Sequence, residues 1–227
     1  MKTIGLLGGT SWASTIDYYR DLNERAQAYF GAPHSAELIL KSVDYAPLVS
    51  RYENDWETAR ALFADRLAEL EAMGPDCLVI CCNTLHRALD ELDVAQRPAL
   101  PVIHMVDVTA AAARGAGHDR VLLLGTRFTM ENGYYANRLA ATGLDVTIPN
   151  ADDRDVVQGF QQRASQGQPV PEAPGWFARL WTRHADCGAA VLACTELPGL
   201  IEARDAPLAL LDPLTLQCDA AFAWAVG

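Results

Sequence analysis

The stretch VICCNTLH, from Val79 to His86, places two adjacent cysteines at the end of an apolar run. A second stretch, VLACTELP, from Val191 to Pro198, has the same pattern with one cysteine. In both stretches an apolar run as long as a buried strand ends at a cysteine, and polar residues that can start a helix follow. The two stretches therefore predict a repeated strand-to-helix turn that carries a thiol.

Two further stretches extend this repeat toward the N-terminal side of each cysteine. IGLLGGT and VLLLGTR are apolar runs that align so that Gly8 falls on Gly125. Gly8 precedes Cys82 by 74 residues, and Gly125 precedes Cys194 by 69 residues. A repeat of this length predicts two similar halves, each with a thiol at the carboxyl end of a strand. That edge of an open parallel sheet is where ligands bind.

The rest of the chain alternates between short apolar runs and amphipathic segments. Strand-like runs such as SAELILKSVD, PVIHMVD and LALLD are separated by helix-like segments such as WETARALFADRLAELEAMG. Apolar strands that alternate with helices are typical of parallel sheets covered by helices on both faces. The pattern predicts an α/β fold, with helices also over NTLHRALDEL and TELPGLIEAR.

Composition and charge restrict the class of partner. The 227 residues are 50% hydrophobic, and the formal net charge is −11. This negative charge argues against nucleic acid or an anionic membrane surface as a partner. No apolar run approaches 18 residues, and the opening MKTIGLLGGTSWAS is typical of a first strand, not of a signal peptide. We therefore expect a cytoplasmic protein with a small-molecule substrate.

Six cysteines occur, and no two of them form a CxxC pair. Zinc sites need such closely spaced pairs, so we expect no metal. A cysteine in a buried strand is more often structural than functional, but the matched positions of Cys82 and Cys194 favour a function for both. Cys81 lies one residue earlier and points to the opposite sheet face. Three more cysteines are predicted to be structural like Cys81: Cys77, Cys187 and Cys218.

Thiols at two such turns suit one kind of proton transfer. Backbone N–H groups that begin a helix favour a thiolate and can bind a carboxylate. A small acid held between two thiols could lose its α-proton to one of them and gain a proton from the other on the opposite face. This is racemisation or epimerisation, and it needs no cofactor.

The motifs IGLLGGTSWAST, CCNTLH, LLGTRFTMENGYY and ACTELPGLI resemble the aspartate/glutamate racemase family that works without pyridoxal phosphate, and the aspartate racemase branch in particular. The resemblance covers nearly the whole chain. It implies two pseudo-symmetric α/β domains, each a parallel sheet flanked by helices, with the active site in the cleft between them. It places residues 1–98 with 208–227 in the first domain and 99–207 in the second, and it implies a homodimer.

The resemblance also assigns roles to individual residues. It makes Cys82 and Cys194 the catalytic acid and base. The residues that it assigns to substrate binding are Thr10, Ser11, Arg51, Asn83, Thr84, Thr126, Thr195 and Glu196. The sequence departs from the family at Thr10, where many relatives have Met, at Gln217, where many have His, and in GFQQRASQG, where Arg163 is the nearest cation.

The sequence leaves several alternatives open. His86 is either a base for the Cys82 thiol or a histidine on the helix surface, and we favour the surface position. His104 is more typical of a core histidine than of a site residue. Glu196 either orients Cys194 or stabilises a helix start. On the same scaffold the chain could instead be a hydantoin racemase, a diacid cis–trans isomerase, a decarboxylase or a non-catalytic amino-acid-binding protein.

Overall fold

The computed structural model describes residues 1–227, apart from the side chain of Asp205, and contains seven strands and ten α-helices. The chain divides into two compact units. The first unit comprises residues 1–105 and 217–227, and the second comprises residues 106–216. No helix of the described residues is long and apolar enough to cross a bilayer.

The first unit is built on a three-stranded parallel sheet with the order β2-β1-β3. Its strands are β1 (Ile4–Gly8), β2 (Leu38–Ser42) and β3 (Cys77–Ile80). Its helices are α1 (Trp12–Phe30), α2 (Ala46–Val49), α3 (Trp56–Glu71) and α4 (Leu85–Asp90).

The second unit is built on a four-stranded parallel sheet with the order β5-β4-β6-β7. Its strands are β4 (Arg120–Gly125), β5 (Asp145–Thr147), β6 (Ala189–Ala193) and β7 (Ala209–Leu211). The remaining helices are α5 (Met105–Gly115), α6 (Arg127–Glu131), α7 (Tyr134–Ala141), α8 (Ala151–Ser165), α9 (Ala173–Arg183) and α10 (Pro213–Val226).

The two sheets repeat one strand order, because β2-β1-β3 corresponds to β5-β4-β6. The correspondence extends one step further. In the second unit Ala190 of β6 pairs with Leu210 of β7. In the first unit Leu78 of β3 forms a single parallel bridge with Val102. The α/β fold with two parallel sheets flanked by helices is therefore confirmed, and it carries the predicted internal repeat.

Alternating side chains of the buried strands pack on opposite faces of each sheet, as the two-residue period of a strand requires. In β4, Leu122 and Leu124 belong to one apolar cluster, which also contains side chains of α8 and α9. Val121 and Leu123 belong to the other cluster, with side chains of α5 and α7. A strand that is covered on both faces explains why the sequence has an uninterrupted apolar run here.

The chain passes between the units later than the predicted boundaries at residues 99 and 208. The N–H of Leu78 donates to the carbonyl of Pro101 over 2.8 Å, and Ile103 donates to the carbonyl of Leu78 over 2.9 Å. These bonds keep residues 99–105 on the first sheet. The pairing of β7 with β6 keeps the segment after residue 208 on the second sheet.

Four cysteines other than Cys82 and Cys194 are buried and free: Cys77, Cys81, Cys187 and Cys218. Burial raises the pKa of each of these thiols, and it raises the pKa of Cys77 to about 12. A buried thiol with a raised pKa stays protonated at neutral pH and is unreactive. Their structural role agrees with the prediction from the sequence.

The raised pKa of Cys77 makes stability depend on pH in the alkaline range. The pKa of this thiol is 9.0, its ordinary value, in the unfolded chain, and burial raises it to about 12 in the folded protein. Between these two pH values the unfolded chain has lost a proton that the native chain keeps. The free energy of unfolding should fall as pH rises through this range. Urea titrations at pH 7 and pH 10 should show a smaller fall for Cys77→Ala than for the unchanged protein; equal falls would contradict the assignment.

Candidate active site

The turn after β1 is shaped by a glycine that no other residue can replace without strain. Gly9 has a φ of +91°, and a Cβ built there would lie 2.2 Å from the carbonyl oxygen of Val43. Ser11 then begins α1, because its hydroxyl accepts a hydrogen bond from the N–H of Ser14 over 3.3 Å. The side chain of Ser11 is therefore held at the helix start.

Thr10 connects this turn to the turn that carries the adjacent cysteines. Its side chain is buried, and its hydroxyl donates to the carbonyl oxygen of Cys81 over 3.2 Å. β1 and β3 are neighbours in the sheet, so their carboxyl ends lie side by side. The structure thus brings five predicted residues to one edge of the first sheet: Thr10, Ser11, Cys82, Asn83 and Thr84.

The adjacent cysteines differ in exposure, as the alternation of a strand predicts. Cys81 is only 2% exposed, whereas Cys82 is half-buried. Asn83 and Thr84 follow in a turn, and α4 begins at Leu85. Cys82 is therefore the accessible thiol of the pair.

His86 is fully buried, so the prediction of a surface histidine is wrong. Its Nδ1 lies 2.8 Å from the carbonyl oxygen of Cys82, and its Nε2 accepts from the N–H of Met105 over 3.1 Å. Its ring also packs edge-on against His104, with 4.6 Å between the centroids. His104 is itself buried beside Asp90, which fits the predicted core histidine.

The second unit has an equivalent turn after β4. The hydroxyl of Thr126 accepts from the N–H of Thr129 over 3.2 Å and begins α6, as Ser11 begins α1. A Cβ on Gly125 would lie 3.1 Å from the side chain of Thr129, which is why the strand ends in a small residue. Thr126 therefore has the same local role as Ser11.

Glu196 contacts the thiol that follows β6. Cys194 is 7% exposed, and its Sγ donates to Oε2 of Glu196 over 2.9 Å. The hydroxyl of Thr195 donates to the same oxygen over 3.2 Å. Of the two interpretations of Glu196, the contact with Cys194 is the one present in the structure. The carboxylate fixes the direction of the S–H bond and can accept its proton.

The helix predicted over TELPGLIEAR is absent, which corrects the expectation that a helix dipole acts on Cys194. Tight i to i+3 bonds replace it: Leu197 donates to the carbonyl of Cys194 over 3.1 Å, and Leu200 donates to Leu197 over 2.9 Å. Two short 3-10 turns, Pro198–Leu200 and Ala203–Asp205, form in place of the helix. The proline ring and the following glycine disfavour a continuous α-helix.

The two arginines considered for a substrate carboxylate are both engaged within their own unit. Arg51 donates from Nη1 to the carbonyl of Pro47 over 2.5 Å and has its Nε 4.0 Å from Asp55. Arg163 forms an ion pair with Glu172. Among the side chains that the structure describes, no group of three or more His, Cys, Asp or Glu is arranged to hold a metal ion.

Comparisons with known proteins agree with this arrangement of strands and turns. The sequence profile of the Asp/Glu/Hydantoin racemase family matches residues 7–221. The chain belongs to this family. Its members are racemases, and racemases are isomerases.

Three similar proteins are named as racemases or racemase homologues. The broad specificity amino-acid racemase RacX of Bacillus subtilis is 22% identical over 215 residues, which is 92% of each chain. A Yersinia pestis protein described as a candidate Asp/Glu racemase is 34% identical, with a TM-score of 0.91 and complete coverage of both chains. An aspartate racemase homologue from Pyrococcus horikoshii is 26% identical, with a TM-score of 0.87 and complete coverage of both chains.

The side chain of His86 lies beside a buried hydrogen-bonded group that the sequence did not identify. The hydroxyl of Tyr18 donates to Oε1 of Gln217 over 2.6 Å, and Nε2 of Gln217 donates to the carbonyl of Ile103 over 2.6 Å. Gln217 was singled out only as a departure from the family. Its polarity within the apolar segment PLTLQCDAAFAWAV is the one local signal that it has a buried partner.

Proposed function

We propose that the chain is a cofactor-independent amino-acid racemase in which Cys82 and Cys194 act as opposing acid and base on one α-carbon. The observation that supports this most is the repeat itself. Cys82 follows β3 and Cys194 follows β6, which are equivalent strands of two sheets with one strand order. The proposal requires both thiols to reach one bound substrate.

The proposed reaction moves two protons and leaves the rest of the substrate unchanged. The thiolate of one cysteine takes the α-proton, and the electron pair of the broken C–H bond is delocalised into the α-carboxylate. The thiol of the other cysteine then donates its proton to the opposite face of that carbon. Each turnover therefore exchanges the protonation states of the two cysteines.

Polar groups beside the thiols are proposed to bind the α-carboxylate and the amino group. In the first unit these are Thr10, Ser11, Asn83 and Thr84, and in the second they are Thr126 and Thr195. A carboxylate receives charge-assisted hydrogen bonds from N–H and O–H donors, which also stabilise the negative charge that develops in the transition state. Because the net charge of the chain is −11, such local donors have to outweigh a repulsive field.

We propose aspartate, glutamate or a related α-amino acid as the substrate. Arg51 is the proposed partner of a side-chain carboxylate, but it would have to exchange its bond to Pro47 for the substrate. Arg163 would likewise have to leave Glu172. The broad specificity of the relative RacX is a reason to test apolar and basic amino acids as well.

The function is tested by incubating the protein with both enantiomers of a panel of amino acids in D₂O. We expect loss of the α-proton signal by NMR and conversion between enantiomers by chiral chromatography, without added pyridoxal phosphate. The same panel should include hydantoins, maleate and arylmalonates. Absence of α-proton exchange in every amino acid would contradict the proposal, and CO₂ release or fumarate formation would favour another enzyme on this scaffold.

We propose a homodimer in the cytoplasm, with no nucleic-acid or membrane partner. Light scattering coupled to size-exclusion chromatography should give twice the mass of 24.7 kDa. A monomer at micromolar concentration would contradict the homodimer and would leave the proposed chemistry unaffected.

Glu196→Gln should slow racemisation through Cys194. In the unchanged protein the carboxylate oxygen of Glu196 lies 2.9 Å from the sulfur of Cys194. The amide keeps the size of the side chain but cannot take the proton of this thiol. Loss of a general base costs about 10²- to 10⁴-fold, and we expect the lower end because Cys194 itself remains. Measurement of kcat should show this loss with little change in KM. Gln158→Glu, which makes the opposite amide-to-carboxylate change in α8, is the matched control. An unchanged kcat in Glu196→Gln would contradict the proposed role of Glu196.

A further inference from the structure

A chain of buried hydrogen bonds ends at the main chain of Cys82. Nδ1 of His86 lies 2.8 Å from the carbonyl oxygen of Cys82, and Nε2 of His86 faces the N–H of Met105 at 3.1 Å. The ring is fully buried. Both ring nitrogens therefore contact main-chain groups, one of them in the proposed catalytic residue itself.

These contacts determine the protonation of the ring. A backbone N–H can only donate, so Nε2 of His86 has to supply a lone pair to Met105. A carbonyl oxygen can only accept, so Nδ1 has to carry the proton that reaches Cys82. His86 is thus the neutral tautomer with its hydrogen on Nδ1. A protonated ring would direct an N–H at the N–H of Met105 and would lose that bond.

Gln217 supports the same tautomer from the C-terminal helix. Its Oε1 accepts from the hydroxyl of Tyr18 over 2.6 Å, and its Nε2 donates to the carbonyl of Ile103 over 2.6 Å. These two bonds fix which end of the amide is nitrogen. That nitrogen lies 3.4 Å from Nε2 of His86, so a second donor is directed at the same lone pair.

The network lies where the chain leaves and re-enters the first unit. The chain passes to the second unit after Met105 and returns at Gln217. The N–H of Met105 donates to Nε2 of His86, and the amide nitrogen of Gln217 lies 3.4 Å from the same ring nitrogen. The other ring nitrogen of His86 contacts the carbonyl oxygen of Cys82. The main chain at the thiol is therefore connected to both crossings through one side chain.

We propose that His86 and Gln217 are positioning residues that hold the main chain of Cys82, through the neutral Nδ1–H tautomer of His86, in the place that proton transfer needs. The inference rests on the proposed role of Cys82. Neither residue is proposed to exchange a proton with the substrate. Their effect is on where the sulfur lies.

The tautomer is tested directly in the unchanged protein. Long-range ¹H–¹⁵N correlation spectra distinguish a protonated Nδ1 from a protonated Nε2 without any substrate. We expect His86, assigned by its absence from the spectrum of His86→Asn, to be neutral with the hydrogen on Nδ1 at pH 7. A hydrogen on Nε2, or on both nitrogens, would overturn the proposal.

The positioning role is tested by the reactivity of Cys82 relative to Cys194. His86→Leu removes both ring bonds, whereas the amide of His86→Asn can place an N–H near the position of Nδ1. Iodoacetamide labelling, read by peptide mass spectrometry, should show Cys82 alkylated about fivefold faster in His86→Leu, since the loss of the bond to the carbonyl of Cys82 releases the half-buried turn. Cys194, in the other unit, should not change, and His86→Asn should stay near the unchanged protein.

Gln217→Met tests the second positioning residue, and it provides an independent test if His86→Leu does not fold. Its kcat should fall by roughly tenfold to a hundredfold with KM nearly constant, as expected for a displaced catalytic group. General loosening of the first unit would also expose Cys77 and Cys81, so faster labelling of those thiols would indicate a merely structural role and overturn the proposal. An unchanged Cys82-to-Cys194 labelling ratio in both His86→Leu and Gln217→Met would overturn it too.

The labelling and NMR results do not depend on racemisation. If no amino acid is turned over but the Cys82 labelling ratio shifts as expected, the proposed function fails while the positioning of Cys82 stands. If racemisation occurs but the ratio and the tautomer are not as stated, the positioning fails while the function stands.

Discussion

Cys82→Ala is expected to lower kcat for racemisation by about a thousandfold or more, whereas Cys81→Ala should keep most of the activity. The reason is that alanine removes the group proposed to take or give the α-proton on one face of the substrate, and such groups contribute about 10²- to 10⁴-fold. Cys81 is 2% exposed, and burial raises its pKa well above the usual value, so it stays a protonated thiol in the core.

The two variants are a matched pair because they make one chemical change at adjacent positions. Chiral chromatography of the product gives kcat for each, and circular dichroism checks that both are folded. Cys81→Ala should be the less stable of the two, since it leaves a small cavity in a filled core. Full activity in Cys82→Ala, or loss of activity in a folded Cys81→Ala, would contradict the assignment of roles.

Gly9→Ala should have the largest effect on stability. The added Cβ would lie 2.2 Å from the oxygen and 2.5 Å from the nitrogen of Val43, and both are main-chain atoms that cannot rotate away. The φ of +91° adds strain for any residue with a side chain. Overpacking and backbone strain together should lower the free energy of unfolding by roughly 3–5 kcal/mol.

Gly159→Ala is the control for the same substitution. Gly159 lies inside α8, and no atom would lie within 4 Å of an added Cβ. Alanine should therefore stabilise the helix by about 0.5–1 kcal/mol. Urea midpoints followed by circular dichroism measure both changes. A Gly9→Ala midpoint within error of the unchanged protein would mean that the turn after β1 is not as tight as described.

The parts of the fold that the sequence predicted are those set by local patterns. Apolar runs without polar interruption predicted strands buried on both faces. The alignment of Gly8 with Gly125 and of Cys82 with Cys194 predicted two similar halves, and the two sheets do repeat one strand order. The exposure of Cys82 and the burial of Cys81 follow from strand alternation alone. Each of these signals lies within a few residues of the feature that it predicts.

The parts that the sequence did not predict depend on contacts between distant segments. Tyr18 and Gln217 are 199 residues apart, so their bond leaves no pattern in either stretch. His86 was assigned to a helix surface because nothing local shows that α10 and the segment around Met105 cover it. The missing helix after Cys194 is different, since Pro198 and Gly199 were visible signals that weighed against it.

The central claim is that the two thiols serve opposite faces of one carbon, and Cys82→Ala and Cys194→Ala in D₂O test it most directly. Each variant keeps one base, which can remove an α-proton and return deuterium to the same face. We expect each to exchange the α-proton of one enantiomer without inversion, with the L form in one variant and the D form in the other. Exchange of the same enantiomer by both variants, or of both enantiomers by either, would contradict the account.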